Sequence, residues 1–356
     1  MTDRTALLLD VDTGIDDSLA LLYAAASPDA ELVAVTCVSG NIDARQVAIN
    51  TRAVLELAGR TDVEVALGRE VPLFRPLETT PETHGPQGLG HAELPAPSRP
   101  ISDRHAVDLI VTEARQRPGE ITLVTLGPLT NLALAVMREP DLPRLLRGYV
   151  LMGGAYGVSG NTTPTTEWNI HCDPEAAGIV FRAWGEATAA DPAIARPLAL
   201  GLDVTEQARV LPDDVVRLAR RAGSTPDDSI ALARGEDPMQ ATRSVASNPI
   251  VRYVADALRF YMEFHAHYDG FYGAFIHDPL AVAAALDRSL VTTEPLFVDV
   301  ETRGALTTGM TVADRRHLTG QPPNLDVAVS ADVAAFMERL IERVGGLAAT
   351  HPDMSR

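Results

Sequence analysis

Through its first half the chain alternates between two textures. "TALLLDV" reads as a strand and "DDSLALLYAAA" as a helix; "ELVAVTCV" is the next strand, and "DARQVAINTRAVLELAG" a helix that closes at Gly59. "VEVAL" gives a short strand and "RHAVDLIVTEARQR" a helix. "EITLVTLG" and "LTNLALAVMRE", then "GYVLMGG" and "DPEAAGIVFRAW", repeat the pair. A strand–helix rhythm of this kind specifies a parallel sheet with helices on both faces. The strands are apolar along their length, as strands covered on both sides are.

Beyond residue 200 the pattern turns more helical. "NPIVRYVADALRFYMEFHAHY" predicts a long helix and "DPLAVAAALD" a shorter one. "PLFVDVETRG", "LTTGMTVADRR" and "NLDVAVS" read as late strands, and "ADVAAFMERLIERVGG" as a closing helix. No linker, repeat or low-complexity tract forces a cut. The expected fold is therefore α/β: a single large domain over 1–345, a mostly parallel twisted sheet with helices on both faces and a few late antiparallel strands, then a C-terminal tail over 346–356. The loop over 68–103 is long and rich in proline and glycine, which marks a functional or mobile segment. "GEATAADPAIARP" reads as a small surface excursion.

Composition narrows the function. The chain has 356 residues, 46% of them hydrophobic, enough for a large core. Its net charge of -18 repels nucleic acid and anionic membranes, so neither is expected as a partner. All 30 basic residues are arginine, which excludes a Schiff-base or phosphate-loop lysine. Cys37 and Cys172 are too few for a disulfide framework or a thiolate metal site. No signal-peptide pattern opens the sequence, and no apolar run reaches the roughly 20 residues that span a bilayer. A cytoplasmic protein acting on small molecules is expected.

The stretch "LLLDVDTGIDD" carries Asp10, Asp12, Asp16 and Asp17. Asp10 and Asp12 end the first strand, and Asp16 and Asp17 open the following helix. Ligands of open α/β sheets bind at that end of the strands. One helix N-terminus favours a carboxylate by about 0.3–1 kcal/mol and cannot satisfy four. A hard divalent cation can. An EF-hand loop starting at Asp10 would need glutamate where Leu21 stands. A haloacid-dehalogenase-type phosphatase also ends a strand in D-x-D, but it calls for a lysine further along.

"DVDTGIDD" closely resembles the N-terminal signature of the inosine–uridine-preferring nucleoside hydrolases, with Thr13 where that family usually has proline. "VSGN" (38–41), "LGPLTN" (126–131), "VLMGGAY" (150–156), "EWNIHCDPEAA" (167–177), "GLDVT" (201–205), "HDPLAV" (277–282) and "GMTVADRR" (309–316) recur in the family's order and spacing. The likeness covers about residues 5 to 345. It implies Ca²⁺ held by Asp12, Asp17, Asp278 and the Leu126 carbonyl, with Asp10 stiffening the site from behind. It implies that Asp16, Asn41, Asn161, Glu167 and Asn169 hold ribose hydroxyls, that Met152 and Trp168 pack against the sugar, and that His277 and His84 stand near the nucleobase. It also implies a homodimer or homotetramer.

The implied reaction is hydrolysis of the N-glycosidic bond of ribonucleosides to base and ribose. A metal acidifies the attacking water, Asp12 takes its proton, and His277 serves as acid or donor toward the leaving base. The surrounding carboxylates favour a cationic ribosyl transition state and disfavour phosphate, so nucleosides are expected as substrates over nucleotides. Two alternatives stay open at this point: the dehalogenase-type phosphatase, and a ribose- or nucleoside-binding protein without turnover. Several residues also have ordinary structural readings. Asp278 before Pro279 is a helix start, Asn41 after Gly40 a turn residue, and Trp168 a core anchor. His265 and His267 read as surface or packing residues. The aromatic run "FHAHYDGFYGAF" can serve either the base or the core.

Overall fold

In the computed structural model, which describes residues 4–224 and 243–351, twelve strands appear. They are β1 (Thr5–Val11), β2 (Ala30–Cys37), β3 (Glu64–Leu67), β4 (Ile121–Thr125), β5 (Gly148–Met152), β6 (Leu198–Leu200), β7 (Arg209–Val210), β8 (Ala274–Phe275), β9 (Val291–Leu296), β10 (Val298–Val300), β11 (Thr311–Ala313) and β12 (Leu325–Ala331). Eight of them form one sheet in the order β3-β2-β1-β4-β5-β6-β12-β9. All neighbours in it are parallel except β12 and β9. Two antiparallel ribbons, β7–β8 and β10–β11, complete the strands. The fold is thus a single large α/β domain, as the strand–helix rhythm predicts.

Alternate residues of β1 feed two cores. Leu7, Leu9 and Val11 face one cluster with Val35 and Leu22, while Ala6 and Leu8 face another with Leu123 and Ile110. Burying each leucine contributes roughly 1.5–3 kcal/mol. The connections diverge at β1, which pairs with β2 on one side and β4 on the other, Asp10 lying opposite Thr36 and Thr125. This is the crevice where open sheets of this type bind ligands. The helix Ile15–Ala26 packs against the helix His277–Leu286, which brings the far "HDP" to the first strand's aspartates.

One expectation needs correction. "GEATAADPAIARP" is not a surface excursion throughout: residues 185–190 extend the helix Pro174–Ala190, which the buried Trp184 anchors and in which Thr188 Oγ1 donates to the Trp184 carbonyl at 2.8 Å. The closing helix spans Val333–Ala349, and 352–356 lie outside the described residues. The loop over 68–103 carries one helical turn, Pro81–His84. Among the described residues no helix is long and apolar enough to cross a membrane.

Candidate active site

The turn after β1 is organised around Asp17. The main-chain N–H of Gly14 donates to its Oδ2 at 2.9 Å and that of Asp12 to its Oδ1 at 3.2 Å. Asn41 ties in the next strand end: its N–H donates to Asp12 Oδ2 at 2.8 Å and its side-chain amide to Asp17 Oδ2 at 3.2 Å. Beneath them, Asp10 Oδ1 accepts from Thr36 Oγ1 at 2.6 Å and from Asn131 Nδ2 at 2.8 Å. Asp16, Asp17 and Asp278 each offer an oxygen within 4.8 Å of the others, all three buried. The trio holds Asp16 where the expected ligand set has Asp12; Asp12 is tied to it through Asp17 Oδ1, which accepts the Asp12 N–H, and through Asn41, which binds both carboxylates.

These acids carry a common electrostatic load. Burial raises the Asp10 pKa to about 7, offset by its bonds from Thr36 and Asn131. Burial, then the charge of Asp17, raises Asp16 to about 8. The same two causes push Asp12 well above the usual carboxylate range, and burial with the charges of Asp16 and Asp17 does so for Asp278. Among the described residues no arginine or histidine forms an ion pair with any of the five. Asp12 Oδ1 is buried without a hydrogen-bond partner. Hard oxygen donors, a concentration of negative charge and a bare buried oxygen together suit a divalent metal ion.

Above the acids lies a cavity of about 490 Å³, a size typical of small-molecule sites. Asp16 and Asp278 reach its floor with Leu126 and Asn41, whereas Asp10, Asp12 and Asp17 lie beneath the lining. Met152, Asn161, Glu167, Trp168 and Asn169 form one wall. Asn169 Nδ2 donates to the Leu126 carbonyl at 2.6 Å and to the Met152 carbonyl at 3.2 Å, so the expected carbonyl ligand is already steadied by an amide. Glu167 caps the helix Trp168–Cys172, accepting from the N–H groups of Asn169, Ile170 and Gly154 at 2.8, 3.1 and 2.8 Å. Asn161 Oδ1 accepts the N–H of Trp168 at 3.1 Å.

His84 and His277 also line the cavity. Burial lowers both to a pKa of about 3, so each ring is neutral near pH 7. His277 Nδ1 lies 2.8 Å from Thr205 Oγ1. His265, expected at the surface or in packing, lines the cavity at 4% exposure, its Nδ1 2.7 Å from the Asp269 carboxylate. Tyr261, Phe264 and Phe275 stand beside it. The available signal was spacing: Tyr261, His265 and Asp269 recur every four residues and share one helix face. Glu206 also lines the cavity, and nothing in its local sequence distinguishes it.

Residues 7–338 match the family described as inosine-uridine preferring nucleoside hydrolase. The chain is 37% identical over 346 residues to the pyrimidine-specific ribonucleoside hydrolase RihA of Shewanella sp. (strain ANA-3), covering 97% of this chain and 98% of that one. It is 38% identical over 340 residues to the RihA of Enterobacter sp. (strain 638), covering 95% and 97%. Among solved structures, the purine-preferring ribonucleoside hydrolase from Gardnerella vaginalis superposes with a TM-score of 0.83 at 32% identity, over 97% of this chain and 100% of that one. The phosphatase and non-catalytic readings are thereby set aside. This chain belongs to the inosine-uridine preferring nucleoside hydrolase family, enzymes that cleave the N-glycosidic bond of ribonucleosides.

Proposed function

We propose that the protein hydrolyses ribonucleosides, pyrimidine ribonucleosides foremost, with Ca²⁺ as its metal and Asp12 as general base. The observation that carries this reading is Asp12 itself: Oδ2 is fixed by the Asn41 N–H, and Oδ1 is buried and bare. Leaving such a group unpaired costs about 1–3 kcal/mol or more, which a cation or a reacting proton relieves. Asp12, Asp17, Asp278 and the Leu126 carbonyl would hold the ion. The donors are all oxygen, of mixed kind, from separate segments; an irregular set suits Ca²⁺ better than the strict octahedron of Mg²⁺. When bound, the ion supplies Lewis acidity toward water and the vicinal ribose hydroxyls.

Asp12 takes a proton from water as the oxygen attacks C1′. Asp16, Asn41, Asn161, Glu167 and Asn169 orient the ribose, Glu167 through lone pairs not engaged in its helix cap, and Met152 and Trp168 cover the sugar. The acidic floor favours positive charge as it develops on the ribosyl ring. The C1′–N electron pair leaves with the base, which His277 meets as a donor. The pyrimidine preference is supported by the higher identity to relatives named pyrimidine-specific, 37–38%, than to the purine-preferring structure, 32%.

The test is a reducing-sugar assay on a nucleoside panel before and after metal removal. Uridine and cytidine should release ribose faster than inosine, chelation should abolish release, and Ca²⁺ should restore it. Asp12→Asn should retain less than about 1% of the rate, given the 10²–10⁴-fold typical of a general base. Full activity after verified metal removal, or a vigorous Asp12→Asn enzyme, would sink the proposal.

A further inference from the structure

The turn that carries Asp12 and Asp17 has threonine in its middle, where a proline ring would fix φ. Thr13 is fully buried, and its hydroxyl lies 2.7 Å from Thr51 Oγ1 on the helix Ala44–Leu57. The protons fix the direction of that bond. Thr51 spends its single hydroxyl proton on the Val47 carbonyl, one turn back in its own helix, at 2.8 Å. Thr51 Oγ1 therefore accepts from Thr13, and its other lone pair accepts the Cys37 thiol at 3.4 Å. Burial pushes that thiol up to about 12, so it keeps its proton. All three protons of this buried set have an acceptor.

The neighbours of Thr13 are the two residues whose main chain holds Asp17, Asp12 through its N–H to Oδ1 and Gly14 through its N–H to Oδ2. The Thr13 carbonyl meets Asn50 Nδ2 at 3.4 Å, on the same helix as Thr51. The turn is thus pinned to the helix Ala44–Leu57 between its two contacts with Asp17. That helix is seated in the core by Val47, Val54 and Leu55. The charges of Asp17 and Asp16 act against that of Asp12 at this turn, and without a cation they push it open. A hydroxyl anchored on a core helix opposes that push.

We infer that Thr13 is a positioning residue whose hydroxyl, through Thr51, preorganises the Asp12–Asp17 turn for the cation before the cation arrives. This rests on the proposed Ca²⁺ site and adds how the empty turn keeps its shape. Preorganisation lowers the ordering that binding must supply, so its loss weakens affinity, and an excess of the ion restores the working geometry.

Thr13→Val keeps the shape and loses the hydroxyl, and Thr13→Ser keeps the hydroxyl and loses the methyl. Full-length protein stripped of metal by a chelator is titrated with Ca²⁺ in a calorimeter. The Kd of Thr13→Val should rise about tenfold, the scale of a lost support behind a metal site, and that of Thr13→Ser should stay within about threefold of wild type. Added to Thr51→Val, Thr13→Val should cost less than about twofold more, because its partner is already gone. At saturating Ca²⁺ the kcat of Thr13→Val on uridine should return to within about twofold of wild type, since the bound ion then imposes the geometry. In metal-free protein, hydrogen exchange read by mass spectrometry on the peptide carrying the Asp12 and Gly14 N–H groups should run about fivefold faster in Thr13→Val, one hydrogen bond's worth. An unchanged Kd in Thr13→Val, equal losses in the valine and serine variants, additive losses in the double variant, or a kcat that excess Ca²⁺ does not restore overturns the inference. Failure of the underlying reading looks different: wild type would then give no Ca²⁺ binding heat, while the exchange comparison would still decide whether the hydroxyl holds the turn.

Discussion

Asn131 uses its whole amide in the layer beneath the acids. Nδ2 donates to Asp10 Oδ1 at 2.8 Å and to the Cys37 carbonyl at 3.1 Å, and Oδ1 accepts the N–H of Arg69 at 2.8 Å. One side chain thus clamps the ends of β1, β2 and the segment after β3. Truncation would leave several buried polar groups unpaired, at about 1–3 kcal/mol each. Asn131→Ala should therefore lower the unfolding free energy by about 3 kcal/mol in urea titrations, and also weaken nucleoside hydrolysis. A change below about 0.5 kcal/mol, the scale of an indifferent surface substitution, would show that the clamp is not structural. In the sequence Asn131 is only the last letter of "LGPLTN". Its three partners come from distant segments, so no local pattern could reveal them. Asp10 was legible only as an acid among acids, and its support from Thr36 depends on strand register.

At the level of elements, the site is a set of strand ends with too little space for side chains. Gly40 follows β2, and a Cβ there would lie 2.1 Å from Asp12 Oδ2 and 2.8 Å from the Pro128 ring. Asp12 cannot withdraw without leaving the Asn41 N–H, so the turn would have to move. Gly40→Ala should reduce kcat/KM on uridine by about 100-fold or more, since misplacing a reacting group by about 1 Å costs that much. Far-ultraviolet circular dichroism should stay unchanged. An active Gly40→Ala enzyme would mean that the turn is soft. The strands and helices around these turns were legible because buried strands and amphipathic helices repeat their pattern over many residues. The three-residue β6 offered no period, and the end of Pro174–Ala190 was obscured because Gly185 interrupts it and no large apolar residue follows to carry the helical period, although its alanines favour helix.

Across the whole molecule, the clustered acidic oxygens are gathered from distant parts of the chain. Asp16 and Asp17 open the helix Ile15–Ala26, and Asp278 lies on the helix His277–Leu286 that packs against it. Composition and period could announce an acidic cluster near the N-terminus but not its partner; the ordered family motifs supplied Asp278. They also left His265 as a surface or packing residue, because its place in the cavity lining arises from the helix face it occupies. Convergence from distant segments has a thermodynamic consequence. The unfolded chain cannot assemble these acids, so a cation that binds only the folded form stabilises it by mass action, by roughly 2.7 kcal/mol at a hundredfold excess over Kd. For a domain of this size that corresponds to a Tm shift of roughly 4 °C. Chelation should therefore lower the melting temperature by about that amount and Ca²⁺ should restore it, measured by differential scanning calorimetry on wild type. Asp278→Asn should start lower or higher according to how much repulsion it relieves, but its Tm should no longer respond to Ca²⁺. A wild-type Tm indifferent to chelator and Ca²⁺ would mean that the buried acids resolve their repulsion by keeping protons instead of binding a cation.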